Sequence, residues 1–424
     1  MMPVRLLYTL AMFVATPVMM VRLWARGWRY GDFHQRWRER FGIFPAPVLA
    51  RDSIWLHAVS LGEVNAAEPL IKALMKTYPD YPMVLTTGTP TGSERVRKLF
   101  GDRVLHVYLP FDLPVVIGRF LRVLRPRIAV FVETEIWPNL YAACCRRHIP
   151  LLIVNARLSR RSMRGYMPFR KMARKALTCV EHVAAQSFVD AARYRLLGAD
   201  RRRITVAGNL KFDMPLPSGV HAKALEDRAL WGSERPVWIA ASTHEGEELV
   251  VLRAHLEVLK RFPDALLVLV PRHPERFRLV EQTIRGLGFR TAVRSTDRNA
   301  GARTQCFLID AMGELIRFYA TADVAFVGGS LVDIGGHNLL EPAALSCPVL
   351  VGPHTFNFEG ITQSLRTRGG ALEVSEKSLG NTVRGLLEHP DERERMGRAA
   401  RRVFEHEQGA VDRIMALIRP LMDD

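Results

Sequence analysis

The stretch Ile54–Glu63 reads IWLHAVSLGE. Its first six residues, IWLHAV, are an apolar run of strand length. Ser60 is a residue type that caps helices, and AAEPLIKALMKTY follows with helical periodicity. The stretch is therefore the first strand-to-helix turn of a βα series, and it presents Glu63 in the opening turn of the helix. Gly62 is expected there for a left-handed or crowded backbone. Glu63 is either a partner of the helix dipole, which would lower its pKa and keep it ionised, or a general base. His57 either orients that carboxylate or is a hydrogen-bonded strand residue.

Outward from this turn the pattern repeats. MVLTT, VLHVYL, IAVFVE, LLIVNA and VAAQ are short runs apolar on both faces, separated by amphipathic segments such as PVVIGRFLRVLR. Such runs suit a parallel sheet covered by helices. MPLPSGV, residues 214–220, interrupts with two prolines and a glycine and marks a linker. A second series follows: VWIAAS, ALLVLVP, CFLID, VAFVGG and PVLVG. The expected architecture is α/β, with two doubly wound domains facing a cleft. Residues 1–30 form a membrane anchor, 31–213 the first domain and 221–405 the second, and a helix in 406–424 packs back on the first. Ligands of such sheets bind beyond the carboxyl ends of the strands, so polar residues just after a strand are the site candidates.

The net charge of +17 points to anionic partners. From Ile136 to Val180 there is no acidic residue, and ARLSRRSMRGYMPFRKMARKA holds eight basic ones among aromatics. This segment is either a solvated helix face or a surface that meets lipid headgroups or a phosphorylated acceptor. Leu6–Val21 is free of charge, and Trp24 and Trp28 extend it as interfacial anchors. Arginines stand where a signal peptide would carry a small-residue cleavage site. They would also keep the main body on the cytoplasmic side. Five scattered cysteines form no C-x-x-C pair and fit a reducing compartment.

Several turns carry chemistry. TTGTPTGSER, Thr86–Arg95, offers hydroxyls and amides for a polyhydroxyl or phosphate group, or is a loop with a helix cap. In FVETEIWPN, Glu133 and Glu135 end a strand and share a face by period two. A metal site, a salt bridge to arginine, or binding of substrate hydroxyls would each explain the pair, though no D-x-D occurs in the chain. GNLKFD places Lys211 where an ammonium could neutralise charge on a leaving phosphate or a developing carboxylate. In the second half, VPRHPERF sets Arg272 and His273 after a strand, suited to phosphate or carboxylate. MGEL sets Gly313 and Glu314 at a helix start that offers an anion site. FVGGSLVDIGGHNLLEP supplies Gly328 and Gly329, whose amides can take phosphate, and a helix carrying Asn338 and Glu341 for ribose hydroxyls. GPHTFNF follows the next strand. The absence of Walker A, H-E-x-x-H, G-x-S-x-G and G-x-G-x-x-G motifs argues against an NTPase, a zincin, an α/β-hydrolase and an NAD enzyme.

Taken together, HAVSLGE, TPTGSERV, FVETEIWPN, NARLSRRS, GNLKFD, STHEGEE, VPRHPERF, MGEL, FVGGSL, GGHNLLEP and GPHTFNF resemble the Kdo transferase family of bacterial lipopolysaccharide inner-core synthesis, over nearly the whole chain. The resemblance implies a GT-B fold. It implies transfer of 3-deoxy-D-manno-oct-2-ulosonic acid (Kdo) from CMP-Kdo to a lipid A precursor, lipid IVA, at an anionic membrane surface. By motif, the family's general base falls on Glu63. Transition-state support falls on Glu133 and Lys211. The CMP contacts fall on Pro271 and Arg272, on Met312, Gly313 and Glu314, and on Asn338, Leu339, Leu340 and Glu341. The chemistry agrees. A sugar hydroxyl needs a base to attack an anomeric carbon, and attack opposite the departing CMP inverts that carbon. The leaving group is one phosphodiester, so cationic side chains and helix N-termini replace a metal, and no cofactor is expected. The rival enzymatic reading is a membrane-associated GT-B enzyme using a different nucleotide sugar. A nucleic-acid binder would carry its basic residues and aromatic platforms into the cleft. Here the cleft motifs carry glutamates, so no nucleic-acid partner is expected.

Overall fold

The computed structural model describes residues 4–27, 36–44, 52–214 and 216–423, with only the backbone given for 24–27. The expected anchor Trp28 and the linker residue Pro215 lie outside the described residues, as does the Trp24 side chain. The chain forms two units, Met1–Pro215 with Glu407–Asp424, and Leu216–His406.

The first unit is built on seven strands. They are β1 (Ser53–His57), β2 (Met83–Thr87), β3 (Leu105–Tyr108), β4 (Pro126–Val132), β5 (Leu151–Ala156), β6 (His182–Ala185) and β7 (Ile204–Val206). All pair in parallel, in the order β3-β2-β1-β4-β5-β6-β7. The order reverses between β1 and β4, which pair along Ile54–Ile128 and Leu56–Val130. Both faces are buried because alternate residues serve opposite layers. Trp55, Ala129, Phe131 and Ile153 face one core, and Ile54, Leu56, Val130 and Val154 the other. The helix Ala410–Asp423 completes the second of these cores through Ala410, Ile414, Ile418 and Met422. Asp213 fixes it by accepting from the N–H groups of Gly409 and Val411.

The second unit repeats the plan. Its strands are β8 (Val237–Thr243), β9 (Leu266–Pro271), β10 (Thr291–Val293), β11 (Cys306–Leu308), β12 (Val324–Val327), β13 (Val349–Val351) and β14 (Ala371–Glu373). Their order is β10-β11-β9-β8-β12-β13-β14, again all parallel, with the switch between β8 and β12. Strands β7, β10 and β14 went unread in the sequence. Each is three residues long and none is buried throughout, so no apolar run marks it.

The apolar N-terminus forms one helix, α1 (Val4–Gly27), of a length and composition able to cross a membrane. One face packs on the first unit. Met12, Met19, Met20 and Leu23 meet Phe111, Leu113 and Val116. Polar ties add to this. Tyr8 hydrogen-bonds the Asp112 carboxylate, and the Thr9 hydroxyl donates to Asn139 Oδ1 at 3.0 Å. The opposite face, Leu7, Leu10, Phe13, Val14, Val18 and Val21, is exposed, Val14 by 77%.

Candidate active site

The first helix after β1, α2 (Leu61–Thr77), starts as its sequence dictates. Ser60 is the N-cap, accepting from Glu63 N at 3.4 Å. The glutamate side chain folds back, as S-x-x-E sequences do. Val59 N–H donates to Glu63 Oε2 at 2.7 Å, and Ser60 Oγ–H to Oε1 at 3.2 Å. Gly62 has no positive φ, and a Cβ there would meet only Ser60 Oγ at 3.8 Å. The turn therefore places Glu63 without needing the glycine, contrary to the expectation from sequence.

The charge state of Glu63 is also corrected. Its pKa rises to about 7. Burial is the largest cause, and the Glu133 charge adds to it. The hydrogen bonds from Val59 and Ser60 pull the other way and lose. Topology explains the neighbours. The turn after β1 and the turn after β4 flank the switch, so Glu63 meets the charges of both Glu133 and Glu135 there. Burial raises Glu135 to about 7 despite the Trp137 Nε1–H bond to its carboxylate at 2.8 Å. It also raises Glu133, against the pull of the Lys211 and Arg157 charges.

Glu133 and Glu135 do not share a strand face. The strand ends at Val132, and Glu133 sits at φ 63°, outside extended geometry, so period two no longer directs its side chain. Nor do they form a metal site by any local grouping. Among the described residues no cluster of three or more His, Cys, Asp or Glu is arranged to hold an ion. Lys211 lies on the turn Leu210–Asp213. Asn209 Oδ1 accepts its N–H at 3.1 Å, and Asn155 Oδ1, at the end of β5, accepts Leu210 N–H at 3.0 Å. Burial lowers the Lys211 pKa and Glu133 raises it, so the two act as an opposed pair. Asn155 was quoted only within a motif. Its buried, left-handed backbone (φ 51°) was not legible in advance.

His57 does not orient Glu63. It is buried, its Nδ1 contacts Thr86 O at 3.1 Å and Thr86 Oγ1 at 2.9 Å, and burial drops its pKa to about 3. The TTGTPTGSER hydroxyls are spent internally too. Thr86 also accepts from Trp55 Nε1, Thr87 meets His106, and Thr89 caps the helix Pro90–Phe100.

In the second unit the motif residues follow the adjacent strands β11, β9, β8 and β12. Pro271 ends β9, and Arg272 N–H donates to Thr243 O at 3.0 Å. Met312 and Gly313 are exposed beyond β11, while Glu314 pairs with Arg294 at 2.7 Å, which lowers its pKa. The helix there, Leu315–Tyr319, is a single short turn that begins after Glu314. Asn338 precedes its helix, Leu340–Ala344, rather than riding on it. Its Oδ1 accepts from Leu340 N at 3.1 Å, and its amide donates to Glu341 Oε1 at 3.1 Å. Leu339 and Leu340 are buried, and burial raises Glu341.

The amides after β12 are not open to a phosphate. Buried Glu247 takes them. Its carboxylate accepts from His244 N (2.9 Å), Gly329 N (2.7 Å), Ser330 N (3.1 Å) and Leu331 N (2.9 Å). Gly328 is required by this closeness, since a Cβ would come within 2.8 Å of Glu247 Oε2. STHEGEE held the signal, two glutamates opening a helix after a strand. A histidine group was missed as well. His244 stacks on His337 with rings 5.0 Å apart and Nε2–Nε2 at 2.7 Å, and His273 lies edge-on to His244.

Two parallel sheets, each with one order reversal and its polar residues at the strand ends, define a two-domain α/β enzyme of the GT-B class. The fold is shared at TM-score 0.58 with a UDP-GlcNAc 2-epimerase from Neisseria meningitidis, 14% identical over 88% of this chain and 100% of that one. Residues 35–214 match the family model described as 3-deoxy-D-manno-octulosonic-acid transferase (kdotransferase). A 3-deoxy-D-manno-octulosonic acid transferase from Haemophilus influenzae is 40% identical over 99% of both chains. One from Bordetella pertussis is 36% identical over 96% of this chain and 97% of its own. The chain belongs to the 3-deoxy-D-manno-octulosonic acid (Kdo) transferase family and is a glycosyltransferase.

Proposed function

We propose that the protein transfers Kdo from CMP-Kdo to a lipid A precursor such as lipid IVA, with inversion and without a metal, in lipopolysaccharide inner-core synthesis at the cytoplasmic face of the inner membrane. The observation that carries this reading is Glu63, a half-buried carboxylate raised to about 7 at the β1/β4 switch. A base poised near neutrality takes the proton of an attacking sugar hydroxyl as the bond to the anomeric carbon forms. The Lys211 and Glu133 charges act on one another, and the two side chains support the charge that develops as CMP leaves. CMP is held by Pro271 and Arg272, Met312 to Glu314, and Asn338 to Glu341, all at or beyond strand ends of the second unit. The 40% identity to a Kdo transferase supports the sugar. Exposed apolar residues on α1 and the basic segment near it support the membrane.

The test is incubation with CMP-Kdo and tetraacylated lipid A precursor, the product counted by mass spectrometry and its anomeric configuration read by NMR. Wild-type protein is expected to transfer in excess EDTA. Glu63→Gln is expected to lose at least about 100-fold in turnover while binding CMP-Kdo normally. A variant with wild-type turnover would remove Glu63 as base, and activity that EDTA abolishes and Mg²⁺ restores would remove metal independence.

A further inference from the structure

Helix α1 is more than a tether. Its inner residues Met12, Met19 and Leu23 close a cavity of about 330 Å³ against Phe111 and Trp137. That volume is in the range of ligand pockets. The same cavity is lined by Val59, whose N–H holds the Glu63 carboxylate, and by Glu135. It is also lined by buried His57, whose Nε2 has no hydrogen-bond partner among the described residues. Arg22, exposed on α1, adds a cation to the lining. Arg40 and Asp112 line it too, so the slot is mainly apolar with two arginines and two carboxylates at its wall, and with Val59 beside the base it fits the chain of an anionic amphiphile better than a nucleotide. The unpartnered outer face of α1 is apolar as well, so the slot is walled by the element that would lie in lipid.

We propose that α1 is a wall of the acceptor site, and that this cavity takes an acyl chain of a phosphorylated, acylated sugar while its hydroxyl reaches Glu63. This rests on the transferase reading above. The experiment uses the full chain in detergent micelles with CMP-Kdo and two acceptors, the acylated lipid A precursor and its fully deacylated phosphorylated disaccharide. Met19→Trp fills the cavity, and Met19→Gln makes its wall polar. Each is expected to raise KM for the acylated acceptor about tenfold, the effect of leaving two methylenes out of an apolar site. Each is expected to leave kcat/KM on the disaccharide unchanged. Val14→Trp, on the outer face, is expected to change neither. Equal losses on both acceptors with both Met19 variants, or no loss with either, overturns the proposal. Weaker vesicle binding with an unchanged micellar KM also overturns it, assigning the slot to bulk lipid. Wild-type protein that transfers Kdo to neither acceptor marks the transferase reading itself as the one that failed.

Discussion

Glu63 owes its raised pKa to a contest that burial wins. A helix N-terminus favours an anion by roughly 0.3–1 kcal/mol, and one pKa unit is about 1.4 kcal/mol. The rise from 4.5 to about 7 therefore exceeds what the dipole can offset. A carboxylate of this pKa is half ionised near pH 7 and loses its charge below it, so under the proposed mechanism kcat/KM is expected to fall on the acid side through an apparent pKa near 7. The stability consequence has the opposite sign. The folded pKa lies above the unfolded one, so the folded chain keeps a proton between about 4.5 and 7 that the unfolded chain releases. This group's stability is full below that window and is lost as pH rises through it. Glu63→Gln mimics the neutral form. It is expected to melt several degrees higher than wild type at about pH 8 and at nearly the same temperature at about pH 4. A variant that melts lower at the higher pH would show the carboxylate stabilising the fold. The position of Glu63 was legible, because S-L-G-E after an apolar run fixes the cap and the turn. Its protonation was not, because Glu133 and Glu135 lie some seventy residues away in sequence.

At the scale of elements, the strand-end turns differ in what they leave free. The turn after β1 leaves a carboxylate with a raised pKa, while the turns after β8 and β12 are locked together by Glu247. Glutamine in its place keeps one acceptor oxygen and points an amide donor at backbone N–H groups. Glu247→Gln is therefore expected to cost about 2 kcal/mol or more. It should lower the melting temperature and weaken CMP-Kdo binding, both measurable on the purified variant. An unchanged melt would mean that water satisfies those amides. The glycines of FVGG were legible as a strand-end loop presenting amides to an anion. Their partner was not, since an anion-shaped loop reads the same whether phosphate or a side chain fills it. Central strands were legible because two buried faces demand unbroken apolar runs, and the edge strands β7, β10 and β14 escaped because only partial burial constrains them.

Across the whole molecule, charge and apolar surface converge on the first unit. Arg157, Arg160, Arg161, Arg164, Arg170, Lys171, Arg174 and Lys175 are all exposed, with Phe169 and Met167 exposed among them, and the helix Arg170–Leu177 contacts α1. Replacing Arg160, Arg164, Arg170 and Arg174 by glutamine is expected to weaken binding to anionic vesicles by about two orders of magnitude or more, at roughly 1 kcal/mol per charge. Binding to neutral vesicles should not change. Sedimentation with both vesicle types measures this, and an equal loss on both would exclude headgroup attraction. The sequence by itself determined the βα order, the caps and turns, the apolar N-terminal helix and the basic face, because these follow from neighbours a few residues apart. Tertiary structure decided the rest. It alone brought the turns after β1 and β4 to one switch point, half-buried three carboxylates near one another, spent the β12 amides on Glu247 and laid one face of α1 on the body. Burial and long-range charge depend on which strands become neighbours, and local pattern does not specify that.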